Sequence, residues 1–214
     1  MAKLSAFRFT LLVTALLAVA ALALALGGPE SDADRSLLFR LQLGSLVPAA
    51  RLLTPFGGWE ALLVIAAAGT LWLIWKRGWR QALLYAAIVL SCRLLVETGK
   101  LLFDRARPDP QGHLTAVHSM AFPSGHSANS MAVLLAFALL AFPAERQRRA
   151  AAALAVLLSM AIGLTRPILG VHWPTDVVGG WALGAGWTLA LARLAGPEER
   201  QEAERLPGRG HSPG

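Results

Sequence analysis

The hydrophobic positions along this chain neither alternate nor recur at a helical period; they come in long unbroken blocks. Apolar runs occupy residues 9–26, 59–75, 82–102, 127–142, 150–164 and 177–194. Each is rich in Ala and Leu, which favour helix. All are too long for strands, and most approach the roughly 20 residues a helix needs to cross a bilayer. The pattern predicts an all-α, polytopic membrane bundle of six transmembrane helices, the fifth being the shortest. The first run follows Lys3 and Arg8 and ends in small residues, as a cleaved signal peptide would. Its apolar stretch exceeds the roughly 7–15 residues of such a segment, so it is read as a retained helix.

Composition sharpens this picture. Of 214 residues, 55% are hydrophobic and 15% charged, against about 45–50% and 25% in soluble chains. One membrane domain is expected over 1–196, followed by a polar, disordered cytoplasmic tail at 197–214. The net charge of +7 would suit nucleic acid, but the cations gather in short clusters between apolar runs, where they orient helices instead. Lys76, Arg77 and Arg80 form one cluster; Arg146, Arg148 and Arg149 form another. With Lys3, Arg8 and the Arg-containing tail they belong to the cytoplasmic side. Segments 27–58, 103–125 and 165–176 then face outward. In the first of these, Leu37, Leu38, Phe39, Leu41 and Leu43 lie among Arg35, Arg40 and Arg51, which fits either a helix on the outer surface or a loop with buried leucines. Cys92 is the single cysteine, so neither an intrachain disulfide nor a cysteine metal cluster can form. Trp59, Trp75, Trp79 and Trp173 stand near run ends and read as interfacial anchors.

Three polar clusters remain, all on the outward side. One is Lys100, six residues, then Arg107-Pro108. The next is Pro123-Ser124-Gly125-His126. The last is Thr165-Arg166, five residues, His172, three residues, Asp176. Lys100, Arg107 and Arg166 could neutralise a phosphomonoester, which carries close to two negative charges; an Arg fork can hold two of its oxygens. Ser124 is a natural N-cap, so the N–H groups of Gly125 and His126 would open a helix towards an anion. A protonated His126 there could donate to a leaving oxygen. Asp176, one helical turn beyond His172, could bond one imidazole nitrogen and leave the other free to attack phosphorus. Each cluster alone has a plain structural reading: an interfacial cation, an ordinary cap, a capping histidine. Jointly they make a phosphoryl-transfer site.

These residues resemble the type 2 phosphatidic acid phosphatase superfamily of membrane lipid phosphatases, whose pattern is Lys, six residues, Arg-Pro; Pro-Ser-Gly-His; and Ser-Arg, five residues, His, three residues, Asp. The stretch from Leu169 to Val177 is similar to bacterial members, and the resemblance spans about 59–194. Thr165 replaces the usual Ser, and Pro167 after Arg166 is less usual. The resemblance implies a metal-independent and cofactor-free hydrolase with His172 as nucleophile, Asp176 as its partner and His126 as general acid. Lys100, Arg107, Ser124, Gly125 and Arg166 would bind phosphate at the outer membrane–water interface. It also implies a bacterial inner membrane and a lipid phosphate substrate: undecaprenyl pyrophosphate first, phosphatidylglycerol phosphate or phosphatidate next. A lipid phosphotransferase and a non-catalytic lipid-phosphate binder or transporter are the rival readings. The carboxylates Asp104, Asp109 and Asp176 form no recognisable two-metal pattern.

Around these clusters, Arg93, Glu97 and Lys100 share one face of the third helix, with Glu97 supporting either cation. Gly179, Gly180, Gly184 and Gly186 give the sixth helix a small-residue face. His113 and His118 lie in the loop between the first two clusters, at the surface or near a head group. Oligomeric state leaves no trace in the sequence.

Overall fold

The structure is a computed structural model that describes residues 2–42 and 44–194. Leu43, the side chains of Lys3 and Arg8, and the expected tail at 197–214 lie outside what is described. Among the described residues there are helices and no strands: α1 (Ala2–Leu26), α2 (Asp32–Leu41), α3 (Val47–Leu53), α4 (Trp59–Arg77), α5 (Trp79–Phe103), α6 (Gly125–Ala141), α7 (Glu145–Ile168) and α8 (Pro174–Leu194). Short 3₁₀ turns at Gly44–Leu46, Thr54–Gly57 and Pro110–Gly112 complete the chain.

The six long helices are the six apolar runs. Five are long and apolar enough to cross a membrane. The exception is α6, whose 17 residues give roughly 25 Å at 1.5 Å per residue, short of the roughly 30 Å hydrocarbon core. The expected shortest helix, the fifth, is instead α7 with 24 residues. It extends backwards because Glu145 pairs with Arg148 and with Arg149 (2.6 Å), drawing the basic cluster into its first turns. A single residue, Gly78 at φ 93°, separates α4 from α5, so Lys76, Arg77 and Arg80 sit on helix ends rather than in a loop. Arg77 Nε donates to the Leu140 carbonyl (3.3 Å), placing the ends of α4 and α6 together at the basic end of the bundle.

Outward-facing Leu71, Leu94 and Leu157 are each about two-thirds exposed, as a lipid-facing surface requires. The inside is built around α8, which packs against α1, α5, α6 and α7. Glycines make the closest approach: a Cβ at Gly184 would lie 2.4 Å from the Ala128 carbonyl, and one at Gly180 2.7 Å from the Ser124 carbonyl. Gly179 faces the Phe122 ring and Gly186 faces Leu16 and Leu17 of α1, so the small-residue face serves two helices and a loop. The 27–58 segment forms α2 and α3, short helices at the other end of the bundle from the basic turns.

Candidate active site

Four helix ends converge opposite the basic turns: the last turns of α5 and α7 and the first turns of α6 and α8. They enclose a cavity of about 230 Å³ lined by Lys100, Arg107, Arg166, His126 and His172, with Gly125, Asn129, Arg93, Trp59 and the 116–119 segment completing its wall. Five candidate side chains from widely separated positions therefore share one space.

The α6 side is a helix start. Ser124 is its N-cap residue (φ −65°, ψ 115°), yet its side chain makes no capping bond; the buried hydroxyl accepts from Ser127 Oγ at 3.1 Å. Ser124 does not line the cavity. What this turn presents is the Gly125 backbone, the His126 ring and the positive end of the helix. Lys100 Nζ stands over it, 3.6 Å from where a Gly125 Cβ would be. The ammonium is held by Ser119 Oγ (3.1 Å) and Glu97 Oε1 (3.5 Å). The same Glu97 oxygen accepts from Arg93 (2.8 Å), so one carboxylate serves both cations.

Arg107 is the fastener of the roof. Its guanidinium donates to the carbonyls of Ser119, Met120 and Val171, joining the loop before α6 to the loop before α8. Arg166, in the last turn of α7 and 4% exposed, reaches the cavity despite Pro167 beside it. One guanidinium nitrogen donates to Thr54 Oγ1 (2.6 Å), whereas its buried Nε has no partner among the described residues. Thr165 points away, its hydroxyl donating to the Ile162 carbonyl within α7.

On the α8 side, α7 turns off through Gly170 (φ 76°), where any side chain would run into the Gly112 carbonyl. His172 follows, Pro174 opens α8, and Asp176 lies one turn in. Asp176 Oδ2 faces His172 Nδ1 at 3.3 Å and accepts from the Trp173 N–H at 2.9 Å. With Nδ1 engaged, Nε2 is the nitrogen left for chemistry. The Ser124 N–H donates to the Asp176 carbonyl (3.1 Å), tying the cap of α6 to the first turn of α8.

Two residues that sequence reasoning passed over complete the arrangement. Arg105, 8% exposed, pairs with Asp176 Oδ1 (2.9 Å) and donates to Thr175 Oγ1 and to the Ala23 and Leu24 carbonyls at the end of α1. Its guanidinium lies 4.7 Å from the Phe122 ring centroid. Asp34, 2% exposed, accepts from the N–H groups of Gly28 (2.7 Å) and Thr175 (3.0 Å) and from the Thr175 hydroxyl. The carboxylate behind His172 is thus braced from α1 and α2. For Arg105 a signal did exist: an outward-side Arg runs against the positive-inside bias. Trp173 corrects another expectation. It is 6% exposed and donates to the Ala106 carbonyl (2.9 Å), so it belongs to the packed interior, while Trp75 and Trp79 are well exposed. His118 lines the cavity; His113 bonds the Pro108 carbonyl (3.0 Å).

Electrostatically the site favours an anion. Burial, then the neighbouring Arg107, Arg166 and Lys100, hold the His172 imidazole well below its ordinary value, which favours the neutral ring. Burial also lowers Arg107, with Asp176 acting in the opposite sense.

Known proteins share this architecture. A lipid A 1-phosphatase of Rhizobium johnstonii is 40% identical over 124 residues, covering 53% of this chain and 47% of that one, so the chain spans about half the length of that relative. A decaprenylphosphoryl-5-phosphoribose phosphatase of Mycobacterium tuberculosis is 30% identical over 162 residues, 72% of this chain and 84% of its own. In fold, the chain is similar to the crystal structure of a transmembrane PAP2-type phosphatidylglycerolphosphate phosphatase from Bacillus subtilis, with TM-score 0.73, 23% identity, and 94% and 100% of the two chains covered. The family model of the PAP2 superfamily matches residues 81–200, which include all three motif clusters and the helices that carry them. This chain belongs to the PAP2 superfamily.

Proposed function

We propose that this protein hydrolyses a phosphate ester or pyrophosphate of a membrane lipid through a phosphohistidine. The observation that carries the reading is one cavity at a helix start that brings the His126 and His172 imidazoles together with Lys100, Arg107 and Arg166. In the first step His172 Nε2 forms a bond to phosphorus as the phosphorus–oxygen bond to the leaving group breaks. His126 gives its proton to that oxygen. In the second step His126 takes a proton from water, whose oxygen attacks the phosphohistidine and releases inorganic phosphate and a free His172. Asp176 holds the tautomer and the developing imidazolium. Lys100, Arg107, Arg166 and the N–H groups of Gly125 and His126 meet the charge on the equatorial oxygens. Glu97, paired with Arg93, supports Lys100 from beside it.

The reaction needs no metal in this scheme, since cations and helix N–H groups carry the phosphate charge. For substrate, undecaprenyl pyrophosphate ranks first and phosphatidylglycerol phosphate or phosphatidate next. Relatives named for a polyprenyl phosphate and for lipid A favour bulky lipids with a phosphorylated head. The placement is the bacterial inner membrane, with both termini cytoplasmic and the cavity on the outside, because the basic turns lie at the opposite end of the bundle. Residues 1–196 act as one unit.

The test is phosphate release by the purified protein from a panel of these lipids, with chelator present and His172→Ala as control. Release that survives chelation and vanishes in the variant supports the proposal, as does an acid-labile, alkali-stable label on His172. Label passing to a second lipid without free phosphate would make the protein a transferase. Loss of activity on chelation overturns the metal-free scheme, and a His172→Ala variant with full function would mark a binder or transporter.

A further inference from the structure

The phosphate-transfer reading uses Lys100, Arg107 and Arg166, yet a fourth cation lines the same cavity. Arg93 sits two turns before Lys100 on α5, roughly 10 Å along the axis at 1.5 Å per residue, towards the bilayer interior. It is 30% exposed, stacked 4.8 Å from the centroid of the Trp59 ring, which also lines the cavity. An intramembrane arginine is costly and ordinarily faces a partner or an aqueous cavity for a reason. Glu97 gives it one bond, but the same Glu97 oxygen is shared with Lys100, so the pair does not neutralise both. The charge of Asp176 is met behind the site by Arg105. Four cavity-lining cations therefore stand against one carboxylate, leaving about three positive charges. A phosphomonoester brings close to two negative charges. About one positive charge is left over, shared along the Arg93–Glu97–Lys100 row, and the Arg93 end of that row lies deeper along α5, towards the bilayer interior where a lipid tail lies.

We infer that Arg93, fixed by Trp59 and Glu97, is a second anion subsite that takes the tail-side phosphate of a lipid diphosphate while His172 faces the terminal one. This rests on the phosphatase reading and narrows it to substrates with two phosphate groups in one head. A guanidinium matches such a group because its fork can hold two oxygens of one phosphate.

The experiment compares one prenyl tail as its diphosphate and as its monophosphate, in the parent and in Arg93→Gln and Arg93→Lys. The ratio of kcat/KM for diphosphate over monophosphate is expected to fall about ten- to a hundred-fold in Arg93→Gln, the range of a charge-assisted hydrogen bond, chiefly through KM. Arg93→Lys should recover part of it. A ratio that stays within threefold of the parent overturns the inference and leaves Arg93 a structural ion pair. A second measurement needs no turnover: methylenediphosphonate should raise the thermal stability of the parent more than methylphosphonate does, and Arg93→Gln should abolish the difference. Equal effects of the two ligands on the parent also overturn it. A parent that hydrolyses neither lipid but still discriminates the two phosphonates refutes the phosphatase reading while leaving this subsite standing.

Discussion

Arg105→Met is the sharpest probe of how the site is held. The substitution keeps a long side chain over Phe122 and removes the charge. It deletes the 2.9 Å pair with Asp176, the 3.1 Å bond to Thr175 and the bonds to the Ala23 and Leu24 carbonyls. Asp176 has no exposed side-chain surface, so its charge is stranded rather than hydrated. Breaking a buried pair by removing one partner costs about 3–5 kcal/mol. For a chain of this size each kcal/mol lowers Tm by roughly 2–4 °C, so a fall of about 6–20 °C is expected. Turnover, measured at a temperature where the variant is still folded, should drop about 10–100-fold, as when the hydrogen-bonded partner that orients a metal-bound imidazole is lost. Arg105→Lys restores the charge without the fork and should fall between. The assay is unfolding followed by tryptophan fluorescence in detergent, paired with phosphate release. A Met variant that melts within two degrees of the parent and keeps its rate would refute the bracing role.

Other outcomes follow from the same geometry. Because the free His172 imidazole is held below its ordinary value, the neutral nucleophile persists as pH falls; the acid limb of kcat/KM should therefore lie below about 6.5 once substrate ionisation is corrected for. Arg107→Gln removes one of the cations responsible and should move that limb upward; an unmoved limb argues against the cause given. Gly184→Ala puts a Cβ 2.4 Å from the Ala128 carbonyl and should cost about 1–3 kcal/mol, read as a lowered Tm. Asp34→Asn sets an amide against the three donors from Gly28 and Thr175 and should cost about 1–3 kcal/mol; a Tm equal to the parent's would show that the contact is not stabilising.

The helices were legible because the bilayer demands length and apolarity that no other fold class imposes, and the six runs mark all six, with α1 starting seven residues and α7 five residues before its run. The boundaries that shifted did so where charge and helix coexist: Glu145 to Arg149 reads as loop on hydropathy, yet its i,i+3 and i,i+4 pairs make it helix. At the site, motif spacing pointed to His126, His172 and the three cations. It could not reveal that the Ser124 hydroxyl turns to Ser127, or that Trp173 is interior, because both depend on which surfaces α6 and α8 present to each other. Asp34 was invisible for a stronger reason. Its partner Thr175 is 141 residues away, and nothing local to an N-capped Ser-Asp-Ala-Asp stretch distinguishes a surface carboxylate from one buried under α8.

The glycine contact between α6 and α8 bears on which side of the cavity can give way. Where main chain rests on main chain there is no side chain to rotate aside, so α6, which carries His126, and α8, which follows directly on His172, cannot slide without parting altogether. Elsewhere the cavity is bordered by the segment at 116–119, exposed but for the half-buried Val117, and by the half-buried Trp59 at the head of α4, neither of which is locked in this way by glycine contacts. The pocket thus has a back held by main-chain contact and a front held by side chains.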